Sequence, residues 1–125
     1  MRARYPDHEG FADVDGTSVF FEVFGEGEPT LVLVPANPIV HSRQWKAQVH
    51  YLSRHYRVVT FDGRGNGRSD RPADPAAYTE RAYLAELEAV LDATGSDRVV
   101  LIGLCHDGVW RSLWFAADHP ERVAG

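Results

Sequence analysis

The 125-residue sequence predicts an α/β fold: a mostly parallel sheet with an N-terminal antiparallel hairpin and helices on both faces. Three observations predict it. Short apolar, β-branched runs alternate with stretches of helical periodicity from residue 30 onward. An Asp15-Gly16 pair separates two alternating runs near the N-terminus. Residues 99–108, VVLIGLCHDG, read as a buried strand that runs into a helix through a tight turn. A chain of this length holds one domain at most and buries roughly two-thirds of its unfolded surface on folding.

The elements follow in order. Residues 11–14 and 17–24 form the predicted hairpin around Asp15-Gly16. Gly25 and Gly27 break the chain, and residues 30–34 are the first central strand. Pro35 and Pro38 exclude a helix and force an extended loop. Ser42 is the expected cap of the next helix, whose apolar face carries Trp45, Val49 and Leu52. Residues 57–61 are the second central strand, and a glycine-rich loop follows over 62–72. Residues 78–93 have helical spacing at Leu84, Leu87 and Leu91, with Gly95 as the stop. The strand at 99–102 precedes a helix predicted over 109–118, which His119-Pro120 ends. Val123-Ala124 starts another strand.

Composition excludes several function classes. The formal charge is -5, whereas binding to phosphate backbones requires a basic face. Twelve of the thirteen basic residues are arginines, scattered along the chain, and read as surface charge. Met1 to Asp7 lack the apolar run of a secretory signal, and no apolar stretch approaches the ~20 residues of a membrane helix. One cysteine permits no internal disulfide, so a cytoplasmic protein with a free thiol is expected.

Ligands bind at the carboxyl ends of parallel strands. Three loops fall there: residues 35–41, 62–69 and 105–108. Cys105 is the candidate nucleophile, because G-x-nucleophile at a strand-to-helix turn lifts the side chain clear and a helix N-terminus favours a thiolate. Gly103 supplies the small residue two before it; two after stands Asp107, with Gly108 next. The plain alternative for Cys105 is a small buried apolar residue. Cys105, His106 and Asp107 are adjacent, but adjacency does not make a triad, since neighbouring side chains diverge in a tight turn. The backbone N–H of His106 is the expected contribution, as an oxyanion donor, with its ring a pocket wall or surface group. Asp107 reads as the N-cap of the following helix. The glycine loop has Arg68 where a dinucleotide fingerprint needs glycine, and it lacks the G-K-[ST] of a phosphate cradle. It reads instead as a sharp turn held by Asp62, Arg64 and Ser69. The six histidines are dispersed, so neither a metal nor a cofactor is expected; His41 is placed to line a pocket.

The glycine loop and the elbow together resemble the α/β-hydrolase-fold superfamily. The most specific piece is residues 58–69, VVTFDGRGNGRS, similar to that family's D-x-R-G-x-G-x-S segment, and Trp45 and His119-Pro120-Glu121-Arg122-Val123 fit in order. The likeness runs from about Phe11 to Gly125 and covers the N-terminal part of one such domain. It implies a nucleophile at 105, where cysteine stands in place of the usual serine. It implies a second oxyanion donor at the N–H of Asn37, with Pro35-Ala36 replacing the usual His-Gly. The family's acid and histidine follow the nucleophile on later strands, and only residues 106–125 follow Cys105 here. The expectation is a hydrolase of ester-like or related small organic substrates, with acid and base supplied by a complementing C-terminal hydrolase segment. The alternative is a non-catalytic remnant, or a ligand-binding or regulatory module.

Overall fold

The computed structural model describes residues 3–36 and 39–125. Its elements are β1 (His8–Val14), β2 (Thr17–Phe24), β3 (Thr30–Val34), α1 (Lys46–Leu52), β4 (Val58–Phe61), α2 (Glu80–Ala93), β5 (Val99–Gly103) and α3 (Cys105–Asp118). The sheet order is β1-β2-β4-β3-β5. β1 with β2, and β2 with β4, pair antiparallel; β3 pairs parallel with both β4 and β5. The expected hairpin is present, with Asp15 and Gly16 both at positive φ, as a two-residue turn of the I′ kind requires.

Helices cover both faces. On one face α2 and α3 pack Leu87, Val90, Leu91 and Phe115 against Val19, Phe21, Val32 and Val59. On the other, Trp45 and Val49 pack on Phe24, Leu31, Leu33 and Val58. Alternation along each strand sends successive side chains to these two cores. After α3, residue 123 bridges Val99 in parallel, Ala124 N–H donates to Val99 O at 2.8 Å, and Leu101 N–H donates to Gly125 O at 2.9 Å. The strand expected at Val123 therefore begins alongside β5.

Several local expectations are corrected. β5 is not buried on both faces: only Val99 is fully buried, and residues 100–103 are partly exposed, because β5 lies at the side of the sheet. Ser42 does not cap a helix; it lies inside a 3-10 turn, Ser42–Trp45, whose cap is His41, with Nδ1 accepting from Arg43 N–H at 3.1 Å. The second helix starts at Glu80, because the Thr79 hydroxyl accepts from Ala82 N–H at 3.2 Å and fixes the start there. The arginines are not all surface charge, since Arg64 and Arg111 are buried.

Candidate active site

The turn from β5 into α3 has no intervening loop. Cys105 is the first residue of α3 and has φ +59, a left-handed conformation that is uncommon for a non-glycine residue and clusters at functional sites. Two glycines make that turn possible. A Cβ on Gly103 would lie 2.7 Å from Val109 N and closer still to the Gly108 carbonyl oxygen. A Cβ on Gly108 would lie 3.3 Å from Pro35 O. The close backbone approach therefore uses Gly103 and Gly108, so the small residue after Cys105 stands at 108 rather than at 107.

The Cys105 side chain is exposed and free. The N–H groups of the first helical turn, His106 among them, have no intrahelical acceptor. The His106 ring is largely exposed, stacks on Trp110 at 6.2 Å, and holds Asp107 Oδ1 at 3.2 Å through Nδ1. It thus turns toward its neighbour and not to the thiol, as divergence in a tight turn requires. Asp107 is not the N-cap: α3 begins two residues earlier, Leu104 holds the cap position, and no side chain caps the helix. Because strand passes directly into helix, the cap falls on residue 104. Asp107 instead lies one turn from Arg111, 3.9 Å from its Nη2. Asn37, the other expected oxyanion donor, lies outside the described residues. His41 serves as the cap of the 3-10 turn.

The glycine loop is the sharp turn expected of it. Asp62 Oδ1 accepts from Ser42 N–H at 2.7 Å and Oδ2 from Arg68 N–H at 3.0 Å. Ser69 Oγ donates to the Asp62 carbonyl and accepts from Phe20 N–H. Gly67 is required here, at φ +51, since a Cβ would crowd the Asp62 carboxylate. Arg64 is fully ion-paired to Glu86 of α2 and donates to Ala77 O at 2.6 Å. Burial pushes the Glu86 carboxyl upward, and its hydrogen bond and charge pairing with Arg64 oppose the rise. The sequence places Arg64 in this turn but does not name its partner Glu86. The signal was available: Glu86 shares the buried face of α2 with Tyr83, Leu87 and Val90, at a position where an unpaired carboxylate would be costly.

A cavity lies between the ends of β3 and β4 and the helices α2 and α3, with Pro35, Gly63, Asn66, Tyr83, Glu86 and Arg111 among its walls. The Arg111 guanidinium sits 4.0 Å over the Tyr83 ring, and its Nε and Nη2 donate to Glu80 at 3.1 and 3.2 Å. Burial pushes the Tyr83 hydroxyl upward, opposed by the Arg111 charge.

On the opposite face, Glu22 of β2 stands directly across from Thr60 of β4, under the 3-10 turn that follows the Pro35 loop. Burial pushes its carboxyl upward; Arg43, 3.6 Å away, opposes, while Asp62 and Glu9 add to the rise. The unfolded chain releases this proton near 4.5, and the folded chain holds it to higher pH. Stability from this group therefore falls as pH rises from about 4.5 through the folded value, and the penalty is complete above it. Glu22→Gln is expected to flatten that slope and to be more stable than the parent only on the alkaline side, as urea unfolding across a pH series would show.

A strand–turn–helix elbow on this sheet, backed by the D-x-R-G-x-G-x-S turn, is the arrangement of the α/β-hydrolase fold. The family model for the alpha/beta hydrolase fold matches residues 29–125, and the chain belongs to that family. It is 34% identical over 98 residues to epoxide hydrolase 4 of Mus musculus, covering 78% of this chain and 26% of that protein. It is 36% identical over 100 residues to 2-hydroxy-6-oxo-2,4-heptadienoate hydrolase of Pseudomonas putida, covering 79% of this chain and 36% of that one. Among solved structures, an alpha/beta hydrolase from Novosphingobium aromaticivorans superposes with a TM-score of 0.85 at 28% identity, covering 94% of this chain and 42% of the other. The chain thus spans well under half the length of the relatives it matches. No helix among the described residues is long and apolar enough to cross a membrane.

Proposed function

We propose that this chain is the nucleophile-bearing part of an α/β hydrolase that acts on an ester-like or related small organic substrate. The single observation that carries the reading is Cys105 at φ +59 on the tip of the β5–α3 turn, with Gly103 and Gly108 in close backbone contact beneath it. In this mechanism the Cys105 sulfur attacks the carbonyl carbon. The N–H groups of His106 and Asn37 hold the oxyanion, the C–O bond breaks, and the alcohol leaves with the thiol proton. The product on the protein is a thioester, which water then hydrolyses.

The acid and base for the second step come from outside residues 1–125 in this reading. A complementing C-terminal hydrolase segment would also cover the outer face of α3, where Val109, Trp110, Leu113 and Trp114 are exposed. A reducing cytoplasm would keep the lone thiol free. No cofactor enters the mechanism. The second reading, a non-catalytic binding module, is favoured by one observation: the His106 ring bonds to Asp107, and no described residue hydrogen-bonds the Cys105 thiol.

Incubation with p-nitrophenyl acetate separates the two. The hydrolase reading expects one acetyl group per chain, located on Cys105 by peptide mass, with a matching burst of p-nitrophenolate. Cys105→Ala should abolish the burst with an unchanged melt. Acetylation scattered over other side chains, at the same rate in Cys105→Ala, would leave only the binding module.

A further inference from the structure

The elbow chemistry leaves the buried guanidinium of Arg111 unused. Its side chain is only 6% exposed, yet its partner Glu80 is 46% exposed and can turn into water. The Glu80 carboxylate occupies Nε and Nη2 in a two-bond fork, while Nη1 donates to no described residue. Asn66 and Tyr83, each about nine-tenths buried, wall the same cavity. The Asn66 amide nitrogen and the Tyr83 hydroxyl likewise donate to no described residue; only Asn66 Oδ1 is engaged, by Gly67 N–H. The remaining walls include Val34, Phe61, Leu87 and the Glu86 carboxylate, which Arg64 pairs. A planar two-oxygen anion on a short apolar tail matches a fork-shaped donor with spare donors beside it.

We propose that this cavity is a receptor for a small carboxylate, with Glu80 as the internal carboxylate that fills the Arg111 fork in the ligand-free chain. The free room is about 10 Å³, enough for roughly one water-sized group. A ligand carboxylate takes the place of the Glu80 carboxylate on Nε and Nη2 as that side chain swings out to solvent, and the two compete for one fork. Since the cavity opens at the carboxyl ends of β3 and β4, a bound carboxylate marks the substrate class as carboxylate-bearing. That last clause rests on the hydrolase reading; the binding itself does not.

The test is a titration of the chain with butyrate, and separately with neutral butyramide, at constant ionic strength set by chloride. The heat of binding gives the affinity in every protein, and the readout of the site in the parent and in Glu80→Gln is the Arg111 Nε–H resonance. Butyrate is expected to shift it saturably and butyramide is not. Glu80→Gln removes the competitor and should tighten butyrate by about tenfold or more, the worth of a hydrogen bond to a charged group. Arg111→Lys keeps the charge but loses the fork, and should weaken butyrate several-fold. Equal responses to butyrate and butyramide would overturn the proposal, as would unchanged affinity in Arg111→Lys or in a folded Glu80→Gln. If Glu80→Gln fails to fold, the wild-type comparison and Arg111→Lys decide. Acylation of Cys105 is scored separately with the neutral ester p-nitrophenyl acetate, so an unreactive thiol and an absent carboxylate site are distinguished.

Discussion

Glu86→Ala is expected to lower the unfolding free energy by about 3–5 kcal/mol, the cost of stranding one member of a buried ion pair. The stranded partner is Arg64, whose side chain is buried and whose backbone N–H also donates to Glu86 at 3.3 Å. Against a total stability of roughly 5–15 kcal/mol for a domain, that loss removes between about a fifth and all of it. Glu86→Gln keeps an acceptor for Arg64 and is already neutral, so it should cost less than the alanine change. Urea denaturation of the three proteins would show the order parent, glutamine, alanine. Equal midpoints for parent and alanine would mean that the glycine loop is held by Asp62 and Ser69 alone.

Gly103→Ala should cost less stability but more reactivity, and for a different reason. The added methyl meets backbone of Gly108 and Val109, which cannot rotate away as a side chain would. Overpacking of this kind costs about 1–3 kcal/mol, and here α3 as a whole must retreat from β5 to absorb it. The first turn of α3 carries both Cys105 and the N–H of His106. A retreat therefore distorts the left-handed turn that presents the thiol. Acetylation of Cys105 should fall by at least about tenfold while the thiol stays titratable by a small disulfide reagent. A variant that melts lower yet acetylates at the parent rate would show that the turn geometry is unrelated to reactivity.

The parts of the fold that were legible in the sequence are those set by local chemistry. Asp15-Gly16 demanded a turn with two positive φ angles, and the apolar runs at residues 30–34 and 58–61 demanded burial on both sides. What was not legible depends on contacts between distant residues. β1 begins at His8, earlier than its alternation suggested, because its pairing partner reaches to Val23. The exposure of β5 follows from strand order, which no local window contains. At the site, the glycine loop and the elbow were both visible. The start of α3 was misplaced by four residues, since a helix opening on a left-handed cysteine has no capping side chain to announce it. Arg111 gave no signal of its own, because its partner Glu80 lies 31 positions away on another helix.

The central claim is that folding, and not the bare thiol, makes Cys105 a nucleophile. The most direct measurement compares its acetylation by p-nitrophenyl acetate in the native chain with that in urea, at one pH, scaled to a small free thiol under each condition. The account predicts that native Cys105 reacts at least about tenfold faster relative to that standard, because only the folded turn presents the His106 N–H to the forming oxyanion. A native rate equal to or below the unfolded one would contradict it.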